Sequence, residues 1–307
     1  MSSGSKRAIV KRTATRFRAG NLTDWAAALT YFGLLALFPA LIALVSVIGL
    51  VADPRSATET LTDIVSDLGP DTAADTFAGP IESITQNRDT AGILLIASLA
   101  LALWSASGYI GAFVRASNAI YETPEGRPFW KLRPLQLAVT LVMVVLAAAV
   151  LVALVVTGPL ARAVGDAIGL GDGAVTAWEI AKWPVVVAVV LAMISLLYYA
   201  APNARLRGVR WVAPGAALAL AVWAIASAGF AVYVANFGSY DATYGTMGGV
   251  VVLLIWLWLT NLALLFGHQL NAEREREREL AEGSQVAERT LQVEPRQAPK
   301  TNDPVGS

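Results

Sequence analysis

An all-α, polytopic membrane protein with six transmembrane helices is the fold this sequence predicts, and three observations predict it. The 307 residues are 56% hydrophobic and only 15% charged, more apolar than a soluble core of that size requires. Six runs free of Asp, Glu, Lys and Arg have about the 20-residue length that a hydrocarbon layer about 30 Å thick demands of a helix rising 1.5 Å per residue. Lysine and arginine divide 19 to 4 between alternate connecting segments, the asymmetry that orients helices in a bilayer. The 23 basic and 23 acidic residues cancel, so net charge gives no footprint for nucleic acid as a partner. With no cysteine and one histidine, disulfide frameworks, thiolate chemistry and zinc sites built from Cys and His are excluded. No cofactor is expected.

The elements follow in order. Residues 1–24 form a basic segment holding six of the lysines and arginines. The membrane domain, 25–272, contains spans at 25–52, 91–114, 135–156, 184–201, 211–235 and 244–270, the fourth being the shortest. The first run is too long for a cleavable signal segment and reads as a span. Pro39 lies in its middle and predicts a kink, because it removes one backbone bond and its ring opposes the carbonyl one turn earlier. Pro134, Pro184 and Pro214 read as first-turn residues of the third, fourth and fifth spans. Between the first two spans, 53–90 carries Leu61, Ile64, Val65 and Leu68 at helical spacing, then Phe77, Ile81 and Ile84 after Gly69-Pro70. That pattern predicts two short amphipathic outer helices with their acids turned to water. Residues 273–307 begin as a charged helical continuation, Glu273 to Glu279, and from Gly283 lose hydrophobic periodicity, so a disordered tail is expected. The 19 to 4 bias places both termini in the cytoplasm.

Candidate binding residues are the polar ones that the spans and short turns isolate. Asn261, His268 and Asn271 share one face of the last span. They read as a polar track for a headgroup or ion, or as hydrogen-bonding glue between helices. Arg115 and Asn118 follow the second span, where an arginine can grip phosphate or serve as a topology anchor. Asn236, Tyr240, Asp241 and Tyr244 crowd the outer turn between the last two spans, as an outer gate or as a hairpin that satisfies freed backbone groups. Tyr31 lies a turn or so before Pro39, facing cargo or a neighbouring helix. Gly245 and Gly249 are spaced for a close helix crossing. No catalytic or metal-binding residue is assigned, and an enzyme is not expected.

Ala26-Ala27-Ala28-Leu29-Thr30-Tyr31 with Leu37-Phe38-Pro39, Trp104-Ser105 through Asn118-Ala119-Ile120-Tyr121, Pro202-Asn203, Asn236 to Gly245, and Gly267-His268-Gln269-Leu270-Asn271-Ala272 resemble the YihY/BrkB family of bacterial cytoplasmic-membrane proteins. The resemblance spans about residues 15–275. It implies six helices, a cytoplasmic (inner) membrane address, and transport of lipid-like or amphiphilic material in some relatives. It also carries an early mislabelling of the family as a tRNA-processing ribonuclease. The uncharged spans favour a transporter or facilitator of amphiphilic cargo, in contact with membrane lipids and with homo-oligomers left open. The alternative is a non-transporting scaffold for envelope proteins. A ribonuclease is the remote third reading, since it needs an acid/base or metal cluster on the cytoplasmic side.

Overall fold

A computed structural model describes residues 3–51, 88–155, 172–236 and 247–298. Seven helices order the described chain: α1 (Ser3–Ala19), α2 (Leu22–Val51), α3 (Arg88–Ile120), α4 (Phe129–Val155), α5 (Asp172–Ala200), α6 (Val209–Asn236) and α7 (Met247–Ala281). A 3-10 turn, Gln285–Glu288, follows α7. No strand occurs among the described residues beyond a single antiparallel bridge, Ala204 with Pro295. The two outer amphipathic helices expected between the first spans lie outside the described residues.

Helices α3 to α7 are long and apolar enough to cross a membrane, and α2 carries a shorter apolar stretch of the same character at Leu22–Leu37. The chain is therefore a multi-pass, all-α membrane protein. Backbone N–H and C=O groups have no water to bind in hydrocarbon, so each span must close its own ladder, which only a helix does here. Large apolar side chains such as Ile96, Leu101, Val145, Ile180 and Ile225 are left exposed, as a lipid-facing surface requires.

The helices overrun the uncharged runs, and the reasons are local. α5 begins at Asp172, twelve residues before the expected fourth span, because Lys182 pairs with Glu179 one turn away. A mutually neutralised pair does not end a helix. Pro184 is consequently inside α5, and Pro134 and Pro214 are inside α4 and α6 rather than in their first turns. The assignment of α2 runs unbroken through position 39. α7 continues to Ala281, 35 residues in all. The basic amino terminus, read only as a segment, forms α1. It turns into α2 through Asn21, whose φ of 49° is the left-handed conformation asparagine tolerates.

Two units of contact divide the chain. One comprises 1–23, 113–224 and 262–307, and the other 24–112 and 225–261. In the first, Phe113, Tyr121, Tyr198, Val212, Leu265 and His268 are fully buried, and α4 packs on α5. In the second, Ala26, Leu29 and Ala112 are fully buried. There Gly33 lies beside Tyr109 and Gly108 beside Phe32, where α2 meets α3.

Residues 284–298 take a defined path where composition predicted disorder, and 299–307 lie outside the described residues. Gly283, with φ 92°, ends α7 through bonds from its own N–H to Leu280 O and from Ser284 N to Glu279 O. This is the left-handed glycine cap that lets a chain reverse. Residues 284–298 then fold back over the first unit, burying Ala287 and Leu291. Hydrophobic periodicity missed them because they dock chiefly through backbone hydrogen bonds, which leave no periodic signature.

Candidate functional site

The first unit gathers charge around a strained corner. α3 closes with Glu122 N bonded to Ala119 O and Thr123 N to Asn118 O, a cap that puts Glu122 at φ 53°. A left-handed glutamate costs on the order of 1 kcal/mol, and its carboxylate is what holds it. Oε1 accepts from Arg276 at 2.7 Å and from Arg16 at 3.2 Å, while Oε2 accepts the backbone N–H of Leu291 at 2.8 Å. Beside this corner lies a cavity of about 250 Å³ lined by Arg16, Ala19, Gly20, Leu22, Ala119, Ile120, Glu122 and Gln269. One wall bears opposite charges and the floor is apolar. Sequence reasoning missed the site: Arg16 read as one topology charge among six, and Glu122 as an isolated cytoplasmic acid. The one available signal was Glu122 itself, the first acid after the second span.

The second surprise is the burial of the charged run on α7. Glu273 is fully buried, Arg276 is 1% exposed, and Glu275 and Glu279 are buried too. Arg276 has its Nε 3.4 Å from Glu273 and its Nη1 donating to Ala287 O at 2.6 Å, while Glu275 pairs with Arg278. Gln269 Nε2 donates to Glu273 at 3.1 Å, and Arg12 approaches the same carboxylate at 3.6 Å while pairing with Glu277. In a low-dielectric interior such charges persist only when paired and hydrogen-bonded. The alternation of Glu and Arg supplies partners both along α7 and across to α1.

The candidate residues divide accordingly. Asn271 is fully buried. It accepts from Gly215 N at 3.0 Å and donates to Val212 O at 2.9 Å, which serves backbone groups on either side of Pro214. Asn261, in the second unit, accepts from Tyr109 at 2.8 Å and donates to Thr30 at 3.1 Å, Thr30 in turn bonding Ala26 O. His268 is fully buried against Tyr198, with ring centroids 4.4 Å apart, and against Tyr121 and Phe113. Neither of its nitrogens has a hydrogen-bond partner among the described residues. Arg115 is exposed on α3, Tyr31 is exposed on α2, and Asn236 is exposed with its amide on Val232 O. Tyr240, Asp241 and Tyr244 lie outside the described residues. Gly245 lies outside the described residues, and the close crossing expected at Gly249 is not found among the described ones, where a Cβ on that residue meets nothing within 4 Å. It occurs where Gly215 faces Gly267.

Asn118 organises the loops of the first unit. Its Nδ2 donates to Glu125 at 2.8 Å, and its Oδ1 accepts the N–H of Asn203 at 2.7 Å. Arg127 grips Glu125 through Nε and Nη2 and donates from Nη2 to Ala201 O, so it also caps α5. Burial pushes the Glu125 carboxyl up, but the bonds from Arg127 and Asn118 outweigh it and hold it below the usual carboxylate range. A depressed folded pKa adds stability that is complete above the unfolded value and lost as pH falls through the folded one. Glu125→Gln is therefore expected to be less stable than wild type at neutral pH and equal to it in acid. Thermal melts of both proteins from pH 7 to pH 3 check this, and parallel curves would remove Glu125 from the network.

A family model described as "Virulence factor BrkB" matches residues 13–291. A Bacillus subtilis (strain 168) relative named "Putative ribonuclease-like protein YfkH" is 33% identical over 263 residues, covering 86% of this chain and 94% of that protein. A "UPF0761 membrane protein" of Tolumonas auensis is 39% identical over 84 residues, 27% of either chain. Its namesake in Xanthomonas campestris pv. campestris (strain 8004) is 34% identical over 94 residues, 31% of this chain and 21% of that one. No solved structure matches.

Proposed function

We propose, from the premise that this chain belongs to the virulence factor BrkB family of integral membrane proteins, that it is a transporter or facilitator of amphiphilic, lipid-like molecules. It works in the bacterial cytoplasmic membrane with both termini in the cytoplasm, and it carries out no bond-making chemistry. One observation carries the reading: the cavity at Glu122, where Arg16 and Glu122 stand over a floor of Leu22 and Ile120. Charge above and hydrocarbon below is what an amphiphile's headgroup and chain require. The positive bias of the segments joined to this unit supports the cytoplasmic placement.

The scaffold reading draws on a different observation. Asn261 and Asn271 spend both ends of their amides on protein, as helix glue would. The ribonuclease reading rests on the Bacillus relative's name. Among the described residues no group of three His, Cys, Asp or Glu side chains is placed to hold a metal ion, and His268 is packed into aromatic rings, so it finds less support.

The test is lipid and small-amphiphile exchange in proteoliposomes, with wild type, Ala119→Trp and empty vesicles compared. Ala119 lines the cavity and is itself exposed, so tryptophan fills space without breaking an ion pair. Exchange is expected with wild type and should fall to the empty-vesicle level in Ala119→Trp at an unchanged melting temperature. No exchange with any headgroup class, or full exchange through Ala119→Trp, would overturn the reading.

A further inference from the structure

The carboxyl-terminal segment sits in a groove that reads backbone rather than side chains. Residues 203–205 and 294–296 pair antiparallel. Arg205 N donates to Glu294 O at 2.8 Å and Arg296 N to Asn203 O at 3.0 Å, with Ala204 opposite Pro295. Proline fits that position because the bonds of the pair come from its neighbours, leaving no donor for it to supply. The Asn203 side chain continues the ladder, its Nδ2 donating to Gln297 O at 2.8 Å and its Oδ1 accepting Gln297 N at 3.1 Å. Upstream, two carboxylates take backbone donors: Glu122 from Leu291 N at 2.8 Å and Glu279 from Gln292 N at 2.9 Å. Arg296 threads inward to Ala204 O and Tyr199 O.

The groove has a floor that only glycine permits. A Cβ on Gly126 would stand 2.1 Å from Gln297 O and 2.6 Å from the Ala298 carbonyl carbon. Gly126 does not adopt a positive φ, so its own conformation does not demand glycine. The passing segment does.

We propose that the face made by 122–126, 203–205 and Glu279 is a recognition groove for an extended peptide, that the chain's own residues 289–298 occupy it as an intramolecular strap, and that this occupancy fixes the Glu122 and Arg16 side chains lining the cavity. The recognition is strand addition: main-chain bonds give affinity, while the Leu291 and Arg296 sites give register. The coupling to the cavity is direct. The strap takes Glu122 Oε2 through Leu291 N, and the 3-10 turn that leads into it takes Arg16 Nη2 through the carbonyls of Glu288 and Arg289. With the strap seated, Arg16 is committed to Glu122 and to backbone oxygens. With it released, Glu122 Oε2 and Arg16 Nη2 lose those partners and can turn to a headgroup. This coupling rests on the transport reading, but the groove does not.

The experiment uses the full chain in nanodiscs and a fluorescent synthetic peptide of residues 289–298. Leu291→Asp with Arg296→Ala removes the two side chains that anchor the strap and leaves the groove intact. Adding Gly126→Ala to that variant fills the groove floor. Hydrogen exchange is followed at the Leu291, Gln292, Arg296 and Gln297 amides. In wild type these amides are expected to be protected, and the peptide should not bind. The strap variant should lose protection at the two amides it retains unchanged, Gln292 and Gln297, and bind the peptide. The version carrying Gly126→Ala should bind at least about tenfold more weakly, the equivalent of about 1.4 kcal/mol. Peptide binding that ignores Gly126→Ala, or wild-type amides that exchange freely, would overturn the groove. Amphiphile exchange measured on the same variants in proteoliposomes separates the two readings, because peptide binding that follows Gly126 in a protein that moves no amphiphile leaves the groove standing and removes only the transport reading.

Discussion

Arg276→Ala is expected to be the most damaging single substitution in the first unit, lowering stability by about 3–5 kcal/mol, the usual cost of stranding a buried charge. The guanidinium is 2% exposed and serves Glu273, Glu122 and the Ala287 carbonyl at once. Truncation leaves Glu273, whose side chain is wholly buried, with Gln269 and a distant Arg12 as its partners. It also removes the shortest of the three bonds that hold the Glu122 carboxylate in its left-handed corner. The melting temperature in detergent should drop by on the order of 10 °C. Glu273→Gln combined with Arg276→Met should recover much of the loss, because an apolar isostere of a paired charge is often neutral while a stranded charge is not. A melt of Arg276→Ala within a degree or two of wild type would mean that Glu273 and Glu122 have other partners, and the double variant would then lose its rationale.

The membrane helices were legible because each is written as a long uncharged run, a signal tied to bilayer thickness and independent of how helices pack. Their ends were not, because the same criterion stops at the first charge, and charges here are paired. Lys182 hid twelve residues of α5 behind Glu179, and the Glu-Arg alternation of α7 looked like a solvated extension when it is an internal ion-pair ladder. Single sequence positions do not reveal the partner that makes burial affordable. Asn118, Asn261, His268 and Asn271 were found as candidates, and all four are buried, since a polar side chain on an otherwise apolar face must meet something inside. What it meets depends on the neighbouring helix. The cavity and strap escaped notice for another reason: the residues lining the cavity come from separate helices, and the strap is held largely by backbone groups and Gly126, so neither carries a signature until the fold brings the pieces together.

Gly267→Ala is expected to destabilise strongly, while Gly249→Ala on the same helix should be neutral or mildly stabilising. A Cβ on Gly267 would lie 2.3 Å from Gly215 O, 2.7 Å from Ala219 Cβ and 2.9 Å from the Tyr198 hydroxyl. Backbone forms the nearest wall, so no rotamer change relieves the clash, and α6 must move away from α7. Moving it stretches the bonds by which Asn271 serves Gly215 N and Val212 O. Overpacking alone costs about 1–3 kcal/mol, and each buried amide bond broken adds roughly 1–3 kcal/mol for the group left unsatisfied. At Gly249 a Cβ meets nothing within 4 Å. Gly249 is the third residue of α7, and replacing a first-turn glycine there trims its backbone entropy, a gain of at most about 0.5–1 kcal/mol. Both residues are helical glycines in apolar surroundings, so helix propensity predicts the same sign for both, and only the crossing at Gly215 predicts opposite signs. Melting the two variants side by side checks it: equal shifts would place the close approach of α6 and α7 somewhere other than Gly215 and Gly267.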